Sequence, residues 1–300
     1  MTRIKFLYLA TYFWLLFTQA HADIMNDIRE LSSPELEGRK TGSLGAERTR
    51  TYLTGRFKQI GLIPLEADFE HVFSYGAFDK TGINLVAFRQ GCLYPDKHIV
   101  LTAHYDHLGR QGRKIFHGAD DNASGVAAML AVAERLTDKC PSYSYIFVAT
   151  DAEENGLFGS KAFVADPPVA KDSLVLNLNL DMVSRADKRG RLYLTGAKVF
   201  PDLVKWLQVS YPELQFLPHS GPSNMRRGSP RYHWPGVSDH GPFYRADIPY
   251  LFFGGQEHPQ YHTEDDMWQR IEPEFLQMAL SAILATVDWV DSQPPQQLEK

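Results

Sequence analysis

The sequence predicts a single α/β domain built on a largely parallel sheet. Short apolar runs typical of buried strands alternate with segments of helical spacing, which is the pattern of strand–helix–strand units. No internal repeat and no linker-like stretch divides the chain. Its 300 residues, of which 44% are hydrophobic, are enough to enclose a sizeable core.

The helices are predicted from apolar spacing and from the residues that flank it. The segment 44–60 has this spacing, with Ser43 in the N-cap position and Gly61 in the position of a stop. Four further segments are predicted to be helical on the same grounds: 123–136, which is rich in small residues, 156–164, which is followed by two prolines, 200–211 and the amphipathic 275–290.

The strands are predicted from short runs rich in β-branched and aromatic residues. They cover 82–88, 97–103, 143–150, 174–180, 192–194 and 249–253. The stretch 218–236 fits neither helix nor strand and is predicted to be a long loop. A loop of that length is often functional, and a surface excursion without function is the alternative.

Both ends of the chain are predicted to lie outside the domain. Residues 1–22 have a basic start, an uncharged apolar run over 6–17 and a small-x-small pattern at 20–22, as cleaved signal peptides do. The apolar run is too short to span a bilayer of about 30 Å. The predicted domain covers 23–292, and the polar tail 293–300 is predicted to be disordered. We therefore expect a periplasmic or secreted protein with no membrane partner after cleavage.

The charge of the chain argues against a nucleic-acid partner. The formal net charge is −5, and residues 1–22 contain two basic and no acidic residues, so that the cleaved chain would carry −7. A mildly acidic surface does not attract a polyanion.

Two cysteines, Cys92 and Cys140, precede the predicted strands 97–103 and 143–150. If these strands are parallel neighbours, both cysteines lie at the same edge of the sheet. An oxidising compartment would permit a disulfide, but sequence spacing does not decide whether the two sulfurs meet.

Polar side chains follow the apolar strands where each strand ends. Because ligands of open α/β sheets bind outside the carboxyl ends of the strands, we expect these side chains to converge. They are His104 after 97–103, Glu153 and Glu154 after 143–150, Asp181 after 174–180, His262 after 249–253, and Asp121 in a glycine- and alanine-rich turn before the helix at 123–136. Histidine and carboxylate without thiolate form a ligand set suited to zinc, manganese or cobalt.

The adjacent glutamates of "VATDAEENG" (148–156) would repel each other if both were ionised and close together. A cation bound by one would offset this repulsion. Neighbouring residues of an extended segment point in opposite directions. The turn must therefore twist so that one carboxylate meets a metal and the other meets a water beside it.

In order and at compatible spacing, six motifs resemble those of the M28 family of zinc aminopeptidases. The motifs are "AHYDHLG" (103–109), "GADDNASGVAAMLAVAE" (118–134), "DAEENGLFGS" (151–160), "NLDMVSR" (179–185), "SDHGPFYRADIPYLFF" (238–253) and "YHTEDD" (261–266). Residues 33–62 are similar to the N-terminal stretch of that family, so the resemblance spans nearly the whole cleaved chain.

This resemblance implies a three-layer α/β/α sandwich around a mixed twisted sheet, with a site for two zinc ions. Matched by motif, His104 and Asp181 would bind one zinc, Glu154 and His262 would bind the other, and Asp121 would bridge both. Glu153 would be the general base and Asp106 would orient His104.

The same match leads to four further expectations about individual residues. Asp120 is not a ligand, and the Asp121–Asn122 peptide is implied to be cis. Asp239 and His240 are candidate substrate contacts. Three histidines have no counterpart in the motifs and are expected to lie in neutral positions at the surface: His107, His117 and His258.

The implied function is hydrolysis of the first peptide bond of peptides that have a free N-terminus. The implied cofactors are two Zn²⁺ ions, and the ligand types also suit Mn²⁺ or Co²⁺. A glutaminyl cyclase is one alternative, because that family shares the fold and most ligands but uses one zinc. A non-catalytic binding protein on the same fold is another.

Overall fold

The computed structural model describes residues 24–196, 200–217 and 236–298. An eight-stranded sheet forms its centre, in the spatial order β1–β2–β6–β3–β7–β10–β8–β9. The strands are β1 (Glu70–Tyr75), β2 (Lys80–Arg89), β3 (Tyr94–His104), β6 (Tyr143–Thr150), β7 (Leu174–Asp181), β8 (Leu192–Thr195), β9 (Leu214–Leu217) and β10 (Tyr250–Gly254), while β4 (Gly109–Gln111) and β5 (Lys114–Phe116) form a separate hairpin.

The sheet is mixed, with a parallel centre. β3 pairs in parallel with β6 on one side and with β7 on the other, and β10 extends this parallel set beyond β7. β2 joins β6 antiparallel, and β8 joins β10 antiparallel. The carboxyl ends of the four central strands therefore meet at one edge, which is where the polar residues of the sequence are concentrated.

Helices cover both faces of the sheet, which confirms the predicted three-layer arrangement. They are α1 (24–31), α2 (Leu44–Ile60), α3 (Gly125–Arg135), α4 (Phe158–Ala165), α5 (Pro201–Ser210), α6 (His240–Arg245), α7 (Pro273–Asp291) and α8 (Pro295–Leu298). Alternate residues of β6 pack into different cores. Phe147 lies in the core with α2, α3 and α7, whereas Val148 lies with α4 and α6.

Each predicted helix and strand matches or overlaps an observed element. Helix α2 has the predicted bounds, and the side chain of Ser43 accepts a hydrogen bond from the Ala46 amide at 3.2 Å. Gly61 ends this helix in the left-handed conformation, with φ 85°. The sequence did not predict the edge strand β1, the β4–β5 hairpin, β9 or α6.

The tail predicted to be disordered is described as far as residue 298, and it forms the short helix α8 with the Leu298 side chain buried in the main core. This part of the prediction is wrong, because a local polar pattern does not reveal one apolar anchor. The predicted signal peptide 1–22 and residues 218–235 of the predicted loop lie outside the described residues. Within the described ranges, no helix has the length and apolar character needed to cross a membrane.

Cys92 and Cys140 form a disulfide, with Cα atoms 5.9 Å apart. β3 and β6 are the parallel neighbours that the sequence argument required. The main chain joins the same two segments, since the Cys92 amide donates to the Pro141 carbonyl at 2.8 Å. The question that spacing left open is thus answered by the packing of two adjacent strands.

Candidate metal centre

The centre is built from strand ends and the loops that follow them. His104 is the last residue of β3 and Asp181 is the last residue of β7. Glu153 and Glu154 lie in the turn after β6, and His262 lies in the loop after β10. Asp121 lies in the segment Ala119–Ser124, which leads into α3.

The first group of side chains surrounds the Nε2 atom of His104. This atom lies 3.3 Å from Asp121 Oδ1 and 3.4 Å from Asp181 Oδ1. Ligand atoms of His104, Glu153 and Asp181 all lie within 4.8 Å of one another. His104 is buried, and its Nδ1 faces the main-chain carbonyl oxygen of Asp106 at 3.1 Å.

The second group surrounds the carboxylate of Glu154. His262 Nε2 lies 3.2 Å from Glu154 Oε2 and 3.1 Å from Asp121 Oδ2. His107 belongs to the same group, because its Nδ1 lies 2.8 Å from Glu154 Oε1. The expectation that His107 occupies a neutral surface position is therefore wrong: its side chain is buried at the centre.

Asp121 connects the two groups, because its two oxygens face different partners. Oδ1 faces His104, while Oδ2 faces His262. The Asp121–Asn122 peptide is cis, as the motif match implied. Asp266 holds this segment from below: its carboxylate accepts hydrogen bonds from the amides of Asp120 and Asp121, each at 3.1 Å.

The side chain of Asn122 fixes the same segment to the end of β7. It donates to the Leu180 carbonyl at 2.9 Å and accepts from the Met182 amide at 3.1 Å. These contacts place Asp121 beside Asp181 although 60 residues separate them in the sequence. A pattern search can find both aspartates, but only the fold brings them together.

The twisted turn predicted for the two glutamates is present. Ala152 has φ 55°, in the left-handed region that non-glycine residues rarely occupy. The turn is held by Asp106, whose carboxylate accepts hydrogen bonds from the amides of Glu153 at 3.1 Å and Glu154 at 3.4 Å. Glu153 consequently joins the group around His104, and Glu154 joins the group around Asp121.

Asp106 thus supports the glutamate turn more directly than it supports His104. Its carboxylate lies 3.8 Å from His104 Nδ1, farther than its own main-chain oxygen. The expected orientation of His104 is therefore provided mainly by the Asp106 main chain.

Two residues of the N-terminal stretch, Arg39 and Thr41, also stabilise the loops of the centre. The sequence did not predict this role for them. Arg39 is buried and donates to the main-chain carbonyls of Tyr105 and Gly118, each at 2.8 Å. Thr41 donates to Asp151 at 2.7 Å. Burial lowers the pKa of Arg39 to about 10, against the attraction of the nearby carboxylates.

The pKa values of the two adjacent glutamates are shifted in opposite directions by their surroundings. Burial raises the pKa of Glu153 well above its ordinary value, although the charge of His104 opposes the rise. Burial also favours the protonated form of Glu154, but contacts with His107 and His262 outweigh it and lower the pKa of Glu154. The two pKa values thus shift in opposite directions, and Glu154 is the more readily ionised of the pair, as a metal ligand should be.

The donor atoms fit divalent cations. Buried atoms on five of the residues make no hydrogen bond within the described part of the chain: Asp121 Oδ2, Glu154 Oε1, Asp181 Oδ1, His262 Nε2 and both ring nitrogens of His107. Two atoms bound to one zinc at about 2.0–2.1 Å are separated by roughly 2.9–3.4 Å at bond angles of about 90–110°. The separations of 3.3 and 3.4 Å around His104 and of 3.1 and 3.2 Å around His262 lie in that range.

Asp239 and His240, the candidate substrate contacts, are both fully buried. The Asp239 carboxylate accepts a short hydrogen bond from the Thr150 hydroxyl. The His240 ring stacks on Phe252 and Tyr250, with centroids 4.3 and 4.8 Å away. In this structure both side chains support the walls beside the site and present no surface to a peptide.

Two other histidines also differ from expectation. His258 Nε2 lies 3.2 Å from Asp120 Oδ2, so this histidine pairs with the aspartate that the motif match excluded as a ligand. His117 is partly buried, and its Nδ1 lies 2.8 Å from the Ser32 carbonyl oxygen. Both histidines connect loops.

Tyr261 is a further residue that the sequence argument passed over. Its ring stacks on that of His262, with centroids 3.8 Å apart. Burial and the neighbouring carboxylates raise the pKa of Tyr261 above its ordinary value. The feature of the sequence that could have indicated a role for Tyr261 is its position immediately before His262 in "YHTEDD".

The chain is similar to known peptidases. The model of peptidase family M28 matches residues 84–287. Aminopeptidase YwaD of Bacillus subtilis is 33% identical over 221 residues, which cover 70% of this chain and 45% of that protein. The alkaline phosphatase isozyme conversion protein of Escherichia coli is 29% identical over 187 residues, covering 57% of this chain and 53% of that one. The chain spans about half the length of these relatives.

Solved structures show the same fold. A zinc aminopeptidase from Bacillus subtilis superposes with a TM-score of 0.57 at 24% identity, covering 74% of this chain and 54% of that one. A Porphyromonas gingivalis glutaminyl cyclase superposes with a TM-score of 0.68 at 19% identity, covering 91% and 98%. Since the family model covers most of the chain, this chain belongs to peptidase family M28.

Proposed function

We propose that this chain is a two-zinc aminopeptidase that acts outside the cytoplasm. The observation that supports it most directly is the position of Asp121, whose two oxygens face His104 on one side and His262 on the other. A carboxylate between two ligand groups is what a pair of metal ions about 3.5–4 Å apart requires. His104 and Asp181 would hold one ion, and Glu154 and His262 the other.

Two zinc ions bound there would polarise the scissile carbonyl and make an adjacent water more acidic. Glu153 accepts the proton of the attacking water and passes it to the leaving amine. Asp106 keeps the Glu153 amide in place, so that the carboxylate remains beside the reacting atoms.

The proposal includes specificity for a free α-amine. Carboxylates that line the centre, among them Asp121 and Glu154, would attract the ammonium group of a peptide N-terminus. An N-acetylated peptide does not carry this charge.

The location outside the cytoplasm rests on two features. Residues 1–22 have the pattern of a cleaved signal peptide. Disulfides such as Cys92–Cys140 persist mainly in oxidising compartments. Cell fractionation with N-terminal sequencing tests this proposal: a chain that starts near Asp23 outside the cytoplasm supports it, and an uncut cytoplasmic chain contradicts it.

Activity is tested with a panel of aminoacyl-4-nitroanilides, measured with and without a chelator. We expect turnover that the chelator abolishes and zinc restores. Glu153→Gln should keep its zinc and lose several orders of magnitude in kcat, since removal of a general base costs about 10²–10⁴-fold. Glu264→Gln is the matched control, because this exposed glutamate lies in the His262 loop and pairs with Lys114 at 3.1 Å. Near-normal turnover of Glu153→Gln would show that Glu153 is not the general base.

Two outcomes would replace the proposal. A glutaminyl peptide that is cyclised, and does not lose its N-terminal residue, would favour glutaminyl cyclase, the activity named for a protein with the same fold. Gently purified protein without bound metal and without turnover would favour a non-catalytic binding protein. Ready cleavage of N-acetylated peptides would redirect the assignment to another peptidase activity.

A further inference from the structure

His107 lies at the second group of side chains, although no motif assigned it a place there. Its Nδ1 is 2.8 Å from Glu154 Oε1 and 3.7 Å from Asp121 Oδ2. Ligand atoms of His107, Asp121 and Glu154 all lie within 4.8 Å of one another. The histidine follows Asp106 directly, so the same strand end that presents His104 to one group presents His107 to the other.

The contact between His107 and Glu154 joins two atoms that could both bind a cation. The two atoms are close, yet neither ring nitrogen of His107 nor Glu154 Oε1 makes a hydrogen bond within the described residues. A buried histidine with only a packing role normally pairs its nitrogens with protein groups. The separation of 2.8 Å is also one that two neighbouring ligands of a single cation can have.

The ring of His107 is also fixed in place. A Cβ atom added to Gly118 would lie 2.6 Å from both Cγ and Cδ2 of the ring, so the Gly118 main chain packs directly against it. On another side, the ring meets that of His262 edge to face, with centroids 5.7 Å apart. These contacts hold Nδ1 toward the carboxylates.

We propose that His107 Nδ1 is a fourth protein ligand of the metal position formed by Asp121, Glu154 and His262. This proposal rests on the two-zinc function. A separation of 2.8 Å from Glu154 corresponds to a bond angle near 90°, and one of 3.7 Å from Asp121 to an angle of roughly 130°, if each bond to zinc is about 2.0–2.1 Å. Both angles suit a zinc that has protein ligands and one further ligand.

The two metal positions are then unequal. The position at His104 has three protein ligands, namely His104, Asp121 and Asp181, and remains open. The position at His262 has four protein ligands, and the additional ligand should make it bind zinc more firmly. Zinc added to the metal-free chain therefore fills the His107 position first, and a competing chelator removes the other ion first.

The test compares zinc binding by the metal-free wild-type chain and by His107→Ala, using competition with a chromogenic chelator. We expect two equivalents in the wild type, with the tighter equivalent weakened by about 100-fold or more in the variant, since even indirect partners of a ligand contribute about 10–100-fold. His117→Ala is the control, because this histidine contacts the Ser32 carbonyl oxygen at 2.8 Å. Its two affinities should match those of the wild type.

X-ray absorption at the zinc edge distinguishes a ligand from a neighbour that only orients Glu154. With one equivalent of zinc, the wild type should show two imidazole ligands per ion and His107→Ala should show one. An unchanged imidazole count, or a tighter equivalent weakened by less than about tenfold, would overturn the proposal. If the wild type binds no zinc, the two-zinc function itself fails, so the two failures are distinguishable.

A folding defect is detected by melting the metal-free proteins. We expect His107→Ala and the smaller change His107→Asn to melt within a few degrees of the wild type without metal, and to gain less stability from zinc than the wild type gains. Variants that lose stability without metal but gain as much from zinc would make His107 a packing residue and overturn the proposal.

Discussion

The Cys92–Cys140 disulfide leads to a quantitative prediction about stability. The bond joins residues 48 apart in sequence. In the loop-entropy relation, a closed segment of that length removes about 13–14 cal/mol/K from the unfolded chain, or about 4 kcal/mol at 25 °C. The closed segment contains four residues of the centre: His104, Asp106, His107 and Asp121.

The double variant Cys92→Ser/Cys140→Ser should keep the native fold, because hydrogen bonds still join the two segments. The Tyr94 amide donates to the Ser142 carbonyl at 2.7 Å. The free energy of unfolding of the double variant should be lower than that of the wild type by about 2–4 kcal/mol. For a domain of this size the expected fall in Tm is roughly 4–16 °C.

The assay is thermal and urea unfolding of zinc-loaded protein, followed by circular dichroism. Wild type treated with a reductant should have the same Tm as the double variant. Untreated wild type should have no titratable thiol after denaturation. A loss of less than about 1 kcal/mol, or two free thiols in untreated wild type, would refute the reasoning.

Three further perturbations test the packing and charge of the chain. Phe163→Ala removes a buried ring from the core beneath α4 and should cost about 3–5 kcal/mol in urea unfolding; a cost below about 1 kcal/mol would contradict that packing. Burial opposes ionisation of Asp187, but hydrogen bonds from Arg191 and Tyr193 outweigh it and lower its pKa to about 2. This contribution to stability is complete above the ordinary aspartate pKa of about 3.9 and is lost as the pH falls toward 2, so the Tm difference between wild type and Asp187→Asn should shrink below about pH 4; a difference that stays constant down to pH 3 would argue against it. Asp266→Ala removes the carboxylate that accepts a hydrogen bond from the Asp121 amide and should weaken zinc binding by about 10–100-fold in a chelator competition; unchanged affinity would assign Asp266 no part in the centre.

The elements predicted well are those whose signal is local. Ser43 and Gly61 fix the ends of α2 by capping, and the β6 run of apolar residues is buried throughout, so its bounds could be read directly. β1 was missed because it is an edge strand in which only Phe73 and Tyr75 are buried. Its polar face resembles a loop when the partner strand β2 is not known.

The candidate site shows the same limit. His104, Glu154 and Asp181 could be found because each ends or closely follows an apolar strand, and the parallel order of those strands follows from the alternation of elements. His107 could not be distinguished from a surface histidine, since its burial depends on the Gly118 main chain and on the His262 ring. The support that Asp106 gives to the Glu153 amide depends on the left-handed turn at Ala152, which no local residue preference predicts.

Anomalous diffraction from zinc-loaded crystals would show whether Asp121 bridges two metal ions. We expect two zinc peaks about 3.5–4 Å apart, with the Asp121 carboxylate between them and the Glu153 carboxylate outside both coordination shells. A single peak, or peaks that do not touch both Asp121 oxygens, would contradict it.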